Sequence, residues 1–203
     1  MAAAAPPVPG DTRVVHIGRL SVERGVTELI GVAERLVPHG IRMELIGAAD
    51  PGVRPLLRDA QRVGLLDWYG YVPNRHALRM AEGALAGLAL AAETVTGVPT
   101  KVLDYMGRGV PVVTTAQSAP LVERTGCGIV VPLDVDAVVD AVLDLKEDPA
   151  RRSAHGARGH AEARLRHHWP DHAPAFVARV ESWAGLTAPA RSRAAKAPLS
   201  RTA

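Results

Sequence analysis

The chain has 203 residues, 47% hydrophobic and 22% charged, a composition that suits one well-buried α/β core and excludes wholesale disorder. The pI near 9.4 owes much to the segment Thr187 to Ala203, where Arg191, Arg193, Lys196 and Arg201 stand with no acid; without them 20 basic residues face 21 acidic ones. Because the remainder is nearly neutral and holds only three Trp, three Tyr and one Phe, no nucleic-acid partner is expected, and four scattered cations allow at most a weak peripheral membrane contact.

Residues 1–12, mostly Ala, Pro and Val at the start, read as a flexible segment, and 185–203 as a disordered basic tail; 13–184 is left as one domain. Cys127 is the single cysteine, which excludes an intrachain disulfide and suits a reducing compartment. No stretch approaches the roughly 18 apolar residues of a membrane span, and no basic n-region precedes the Ala-rich start. A cytoplasmic location is expected.

After Asp11, short apolar runs alternate with amphipathic ones, the pattern of βαβ units around a parallel sheet. Val14 to Ile17 is the first expected strand. Val26, Leu29, Ile30, Ala33, Leu36 and Val37 follow at helical spacing, and Pro38 with Gly40 ends that helix. Met43 to Ile46 reads as the second strand, Val53 to Val63 as the second helix, Trp68 to Tyr71 as the third strand, and Arg75 to Glu82 as a short third helix. Leu85 to Ala91, Val110 to Val113 and Ile129 to Val131 are further strands, with a short helix from near Lys101 between the first two. Past Asp134 the spacing of Val135, Val138, Val139 and Val142 predicts a helix, then Pro149 to Arg166 and Pro174 to Trp183, with no further strand. The expected class is α/β, a Rossmann-like parallel sheet with helices on both faces.

Ligands of such sheets sit at the carboxyl ends of strands, where loops lead into helix N-termini. After the first strand comes Gly18-Arg19-Leu20-Ser21-Val22-Glu23-Arg24-Gly25. Two guanidinium groups there flank a turn at the head of a helix, and arginine forks match phosphate oxygens, so the spot suits a diphosphate. The bland alternative is a pair of surface arginines partnered by Glu23. A second loop, Glu93 to Thr100, precedes the helix Lys101 to Met106. Thr100 suits an N-cap, Gly97 permits close backbone approach, and free amides of the first turn make a second anion site. With Val102, Leu103 and Met106 turned to the core, Lys101 and Asp104 fall on the opposite side. Asp104 could accept hydrogen bonds from a ribose, although on spacing alone a surface pair with Lys101 is favoured.

These segments, with Gly70-Tyr71-Val72-Pro73, Pro99-Thr100-Lys101-Val102-Leu103-Asp104-Tyr105-Met106, Gly109-Val110-Pro111-Val112-Val113 and Gly126 to Pro132, resemble the C-terminal domain of family 4 glycosyltransferases over about residues 13 to 183. The resemblance implies a single C-terminal half of a GT-B fold, which binds a nucleotide-sugar donor. It implies that Arg19 and Arg24 hold the donor diphosphate and act in catalysis, although the second position is usually lysine in that family. Asp104 takes the place of a ribose-gripping glutamate, one methylene shorter. Thr96 stands where the family has a second, sugar-contacting glutamate, followed by Gly97 at the matching glycine. Tyr71, Val72 and Pro73 border the nucleobase, and Gly18, Val98, Thr100 and Lys101 complete the donor set. No cofactor and no metal are expected; the nucleoside diphosphate sugar is a substrate.

Two other patterns carry less. Gly107-x-Gly109 runs into a strand and is no dinucleotide fingerprint. His155, His160, His167, His168 and His172 lack a completing set of metal ligands and read as solvated helix faces. The implied reaction is transfer, retaining in the family's manner, of a hexose-type sugar to an unknown acceptor. Only about a dozen residues precede the first strand, where the resembled enzymes carry an acceptor domain. The expectation is therefore half a cleft: completed by a separate N-terminal acceptor-domain protein, or left as a truncated relic or a non-catalytic nucleotide-sugar-binding module. Phe176, Val180 and Trp183 form an apolar stripe that either folds back on the chain's own helices or serves self-association or a second protein.

Overall fold

A computed structural model describes residues 8–92 and 97–185. The chain divides into two units, Met1–His167 and His168–Ala203. The first holds a six-stranded, wholly parallel sheet in the order β3-β2-β1-β4-β5-β6. In chain order its elements are β1 (Arg13–Ile17), α1 (Val26–Leu36), β2 (Arg42–Ile46), α2 (Arg54–Arg62), β3 (Leu66–Trp68), α3 (Asn74–Ala81) and β4 (Ala86–Ala89). Then come α4 (Thr100–Gly107), β5 (Val112–Thr114), α5 (Ala119–Thr125), β6 (Gly128–Val130), α6 (Val135–Glu147) and α7 (Pro149–Arg166). This is the doubly wound order, in which the winding reverses between β1 and β4.

A strand buried on both faces reads as an unbroken apolar run, because helices cover both sides of a parallel sheet. β4 is buried throughout and β1 from Val14 onward. Successive residues feed opposite cores: Val14 joins Leu29, Leu36, Leu57 and Val142 on one face, while Val15 joins Ala77, Tyr105, Met106 and Val122 on the other. Thus α1, α2 and α6 cover one face, and α3, α4, α5 and α7 the other. Two caps follow directly from sequence. Asp134 accepts from Ala137 N at 2.9 Å to start α6, and Asp148 accepts from Arg151 N at 2.8 Å, with Pro149 opening α7.

Several expectations shift. In α1 the buried stripe is Val26, Leu29, Val32, Ala33 and Leu36; Val37 is exposed and begins a 3-10 turn. The third strand lies two residues earlier than expected. Leu66, Asp67 and Trp68 register with Met43, Glu44 and Leu45, and Gly70, at φ +67°, turns the chain before Tyr71. The fifth strand begins at Val112, beyond Pro111, which has no amide to give the ladder. Seven-residue α5 is an addition, marked by Pro120 near its start and Gly126 in the left-handed region at its end. The second unit, described to residue 185, contains α8 (Trp169–Trp183). It starts five residues before the expected Pro174, which lies inside the helix, and its Trp169 ring packs on Phe176 at 5.4 Å between centroids. Among the described residues no helix is long and apolar enough to cross a membrane.

Candidate functional site

β1 delivers the chain to Gly18 at the carboxyl edge of the sheet, beside the reversal of winding. There Ile17 N donates to the buried Tyr105 hydroxyl at 2.8 Å, which pins the strand end to α4. The loop that follows is held by backbone bonds: Gly18 N to Ile46 O and Leu20 N to Ala48 O, both 2.9 Å, and Asp50 N back to Leu20 O at 3.0 Å. Its last part is a 3-10 turn, Val22–Arg24, closed by left-handed Gly25 at the start of α1. Ala92 N donates to Glu23 O at 3.1 Å and ties this turn to the exit of β4.

Between that loop and the first turn of α4 lies a cleft of about 540 Å³, lined by Ile17, Gly18, Arg24, Asn74 and the run from Gly97 to Lys101, with Asp104. Arg24 is half-buried, and Gly97 takes φ +85°. Pro99 caps α4 and accepts from Val102 N at 2.9 Å; Thr100 is the first helical residue and not the expected N-cap. The unbonded amides of this first turn give the cleft a positive rim. Asp104, one turn on, is half-buried. Burial pushes its carboxyl above the usual range, with the Arg108 charge pulling the other way.

Lys101 is the largest departure from expectation. It is not on the surface beside Asp104 but buried, with Nζ 2.9 Å from Nε2 of fully buried His16. Its stem fits because Gly18, at φ +124°, has no side chain; a Cβ there would stand 3.3 Å from both Lys101 Cε and Nζ. Burial first, then the Arg24 charge, bring the Lys101 ammonium down to about 7. His16 falls well below the ordinary imidazole range, chiefly through burial and then through Lys101.

Arg19 and Arg24 do not face one hollow. Arg19 is exposed, and its Nε and Nη2 donate to the two Asp50 carboxylate oxygens at 2.6 and 3.0 Å. Its partner is Asp50, not Glu23. It borders an adjoining hollow of about 530 Å³, shared with Arg54, Tyr71 and Val72, which meets the first at Ile17, Gly18 and Asn74. Tyr71 is 79% exposed. Pro73 stands behind these as the cap of α3, accepting from His76 N and Ala77 N at 2.8 and 3.1 Å. Of the second loop, residues 93–96, Thr96 included, lie outside the described residues.

Sequence reasoning missed His16 and Asn74. Asn74 follows Pro73 at the head of α3, a position that could have been found by asking which residues open helices after strands. His16 gives no such signal, being one polar residue in an apolar strand. His155 corrects the solvated reading of the histidines: it is buried, with Nδ1 2.6 Å from Gly126 O.

Comparison with curated proteins gives no match. A family profile described as Glycosyl transferases group 1 matches residues 11–148, which span the whole sheet. The chain belongs to the group 1 glycosyl transferases. Solved structures with the same fold include HepE from Anabaena in complex with UDP, 21% identical at a TM-score of 0.71 over 85% of this chain and 49% of that one. Sucrose-phosphate synthase from Thermosynechococcus elongatus is 17% identical at 0.72, over 87% and 46%. The C-terminal domain of a group 1 glycosyl transferase (LpcC) from Francisella tularensis is 18% identical at 0.66, over 79% and 88%. This glycosyl transferase chain therefore spans about half the length of the first two and nearly all of the isolated C-terminal domain. At these identities the likeness speaks for the fold, a GT-B half.

Proposed function

We propose that the cleft binds a nucleoside diphosphate sugar and that the chain is the donor half of a glycosyltransferase, of the family 4 type, moving a hexose-type sugar with retention. The observation that carries this reading is the convergence of Arg24, Lys101 and the α4 amides on one cleft at the switch point of a group 1 glycosyl transferase domain. All three favour an anion there, and none needs a metal ion. Negative charge grows on the diphosphate as the sugar departs, so groups fixed around it act where the transition state gains most. Asp104 would accept from the ribose hydroxyls, and Tyr71 and Val72 would border the base in the adjoining hollow. Arg19 reaches the diphosphate by exchanging Asp50 for phosphate oxygens; an exposed ion pair, screened by water, opposes that exchange only weakly. A cytoplasmic setting fits the lone, buried Cys127.

Calorimetry in chelator tests the donor site directly. Binding of UDP, GDP or their sugars below millimolar concentration is expected, and failure of all of them removes the assignment. A second reading, a nucleotide-sugar-binding module without turnover, draws on Thr96, which stands where the resembled family has its sugar-contacting glutamate. Labelled donor and varied acceptors, with and without a candidate acceptor-domain protein, separate the two. Sugar transferred only in the mixture marks a split enzyme, and binding with no transfer marks the module.

A further inference from the structure

Two buried bases meet on the floor of the cleft. His16 is fully buried and Lys101 is 8% exposed, with His16 Nε2 and Lys101 Nζ 2.9 Å apart. His16 Nδ1 has no hydrogen-bond partner, although the backbone of Leu88 and Arg19 lies near enough to oppose part of what burial does to the ring. Two cations do not coexist at this distance away from water, because their repulsion adds to the cost of taking each out of solvent. The pair therefore holds at most one positive charge. Neutral His16 accepts through Nε2, and Lys101 carries the proton when one is present. Among the described residues the other charge that acts on Lys101 is Arg24, from the turn after β1, while Asp104 on α4 itself lines the same cleft with Arg108 acting on it. Arg24 favours the neutral amine when the cleft is empty, and an incoming anion reverses that preference.

We propose that His16 is a positioning residue that holds Lys101 as a proton-gated anchor, so that a nucleoside diphosphate sugar takes up one proton at Lys101 Nζ as its diphosphate enters the cleft. The inference rests on the donor-site reading above. The proton comes from solvent and returns to it on release. Affinity then falls about tenfold per pH unit above the point where free Lys101 loses its proton, until the bound form titrates in turn.

Calorimetry with UDP-glucose and GDP-mannose, at about pH 6 and about pH 8 in buffers of different ionisation enthalpy, reads the proton count. Wild type is expected to take up close to one proton per ligand at the higher pH and far less at the lower. Lys101→Arg, charged throughout, is expected to bind without uptake. His16→Leu should move the pH at which uptake occurs and weaken binding at least tenfold at neutral pH, and His16→Gln, which restores an acceptor, should recover most of the loss. Nuclear magnetic resonance of lysine labelled at Cε gives the free Lys101 titration without ligand and expects its midpoint near 7. Binding with no proton uptake overturns this inference and leaves the donor site standing. An unchanged pH profile in His16→Leu removes the positioning role. If neither ligand binds at any pH, both readings fall together.

Discussion

Asp104 and Lys101 sit one helical turn apart and do opposite work. Asp104 stays within reach of the cleft, half-buried, with Arg108 beside it. As a ribose ligand it would be replaced poorly by Asn, since a hydrogen bond to a charged group contributes about 1.5–3 kcal/mol. Asp104→Asn is therefore expected to weaken nucleoside diphosphate binding about tenfold to hundredfold while the thermal midpoint barely moves; equal affinity by calorimetry would leave Asp104 without a ligand role. Lys101 instead touches stability. Its folded pKa lies below its unfolded one, so between about 7 and the ordinary lysine range the unfolded chain binds more protons than the folded one. Stability gains with rising pH across that window, by up to about 1 kcal/mol per pH unit from this group. His16, also depressed, adds a loss of stability as pH falls below its ordinary range. Urea unfolding of wild type and Lys101→Met at several pH values checks the sign. Wild-type stability relative to Lys101→Met should rise with pH across that window, and a constant difference would mean that Lys101 is charged in the folded state.

Between elements, the firmest tie at the site is Tyr105, whose hydroxyl accepts from Ile17 N and whose ring lies where a Cβ on Gly87 would stand 2.5 Å away. Tyr105→Phe keeps the ring and strands a buried amide, at a cost of about 1–3 kcal/mol; a lower thermal midpoint is expected, with nucleotide affinity reduced as the end of β1 loosens. An unchanged midpoint would show that water replaces the hydroxyl. Much of this architecture was legible because parallel strands are buried on both faces and so appear as apolar runs: β1, β2 and β4 lie inside or within one residue of the expected stretches. β3 was displaced because Trp68, Tyr69 and Tyr71 have strand propensity, while the turn at Gly70 decides where pairing stops. α5 is too short to show a stripe. At the site, Arg24, Gly97, Thr100 and Asp104 were found from loop position and do share one cleft, as does Lys101. Its burial was hidden, because helical periodicity assigns a face but not what an empty Gly18 allows a long side chain to reach across the sheet edge. Arg19 lies near Arg24 in sequence, but the backbone bonds that tie the loop to Ile46, Ala48 and Asp50 carry it toward Asp50.

At the scale of the whole chain, among the described residues every member of both apolar cores and every residue of the two hollows lies within Met1–His167. The cleft is lined from the end of β1, the turn before α1, the head of α3, and α4 with the residues just before it. A chain ending at His167 retains the described core residues and both hollows. It is expected to unfold cooperatively within a few degrees of the full chain and to bind the same nucleoside diphosphate with affinity changed less than threefold. The segment it lacks carries Trp169, Phe176, Val180 and Trp183 in α8, apolar residues whose spacing gives the helix one apolar side. Light scattering across a range of concentrations reads whether that side associates with a second copy: association by the full chain, but not by Phe176→Glu with Trp183→Glu or by the shortened chain, assigns the contact to α8, and a monomer throughout removes it. If the shortened chain aggregates or loses nucleotide binding, α8 belongs to the donor fold instead, and the boundary at His167 has no independent meaning.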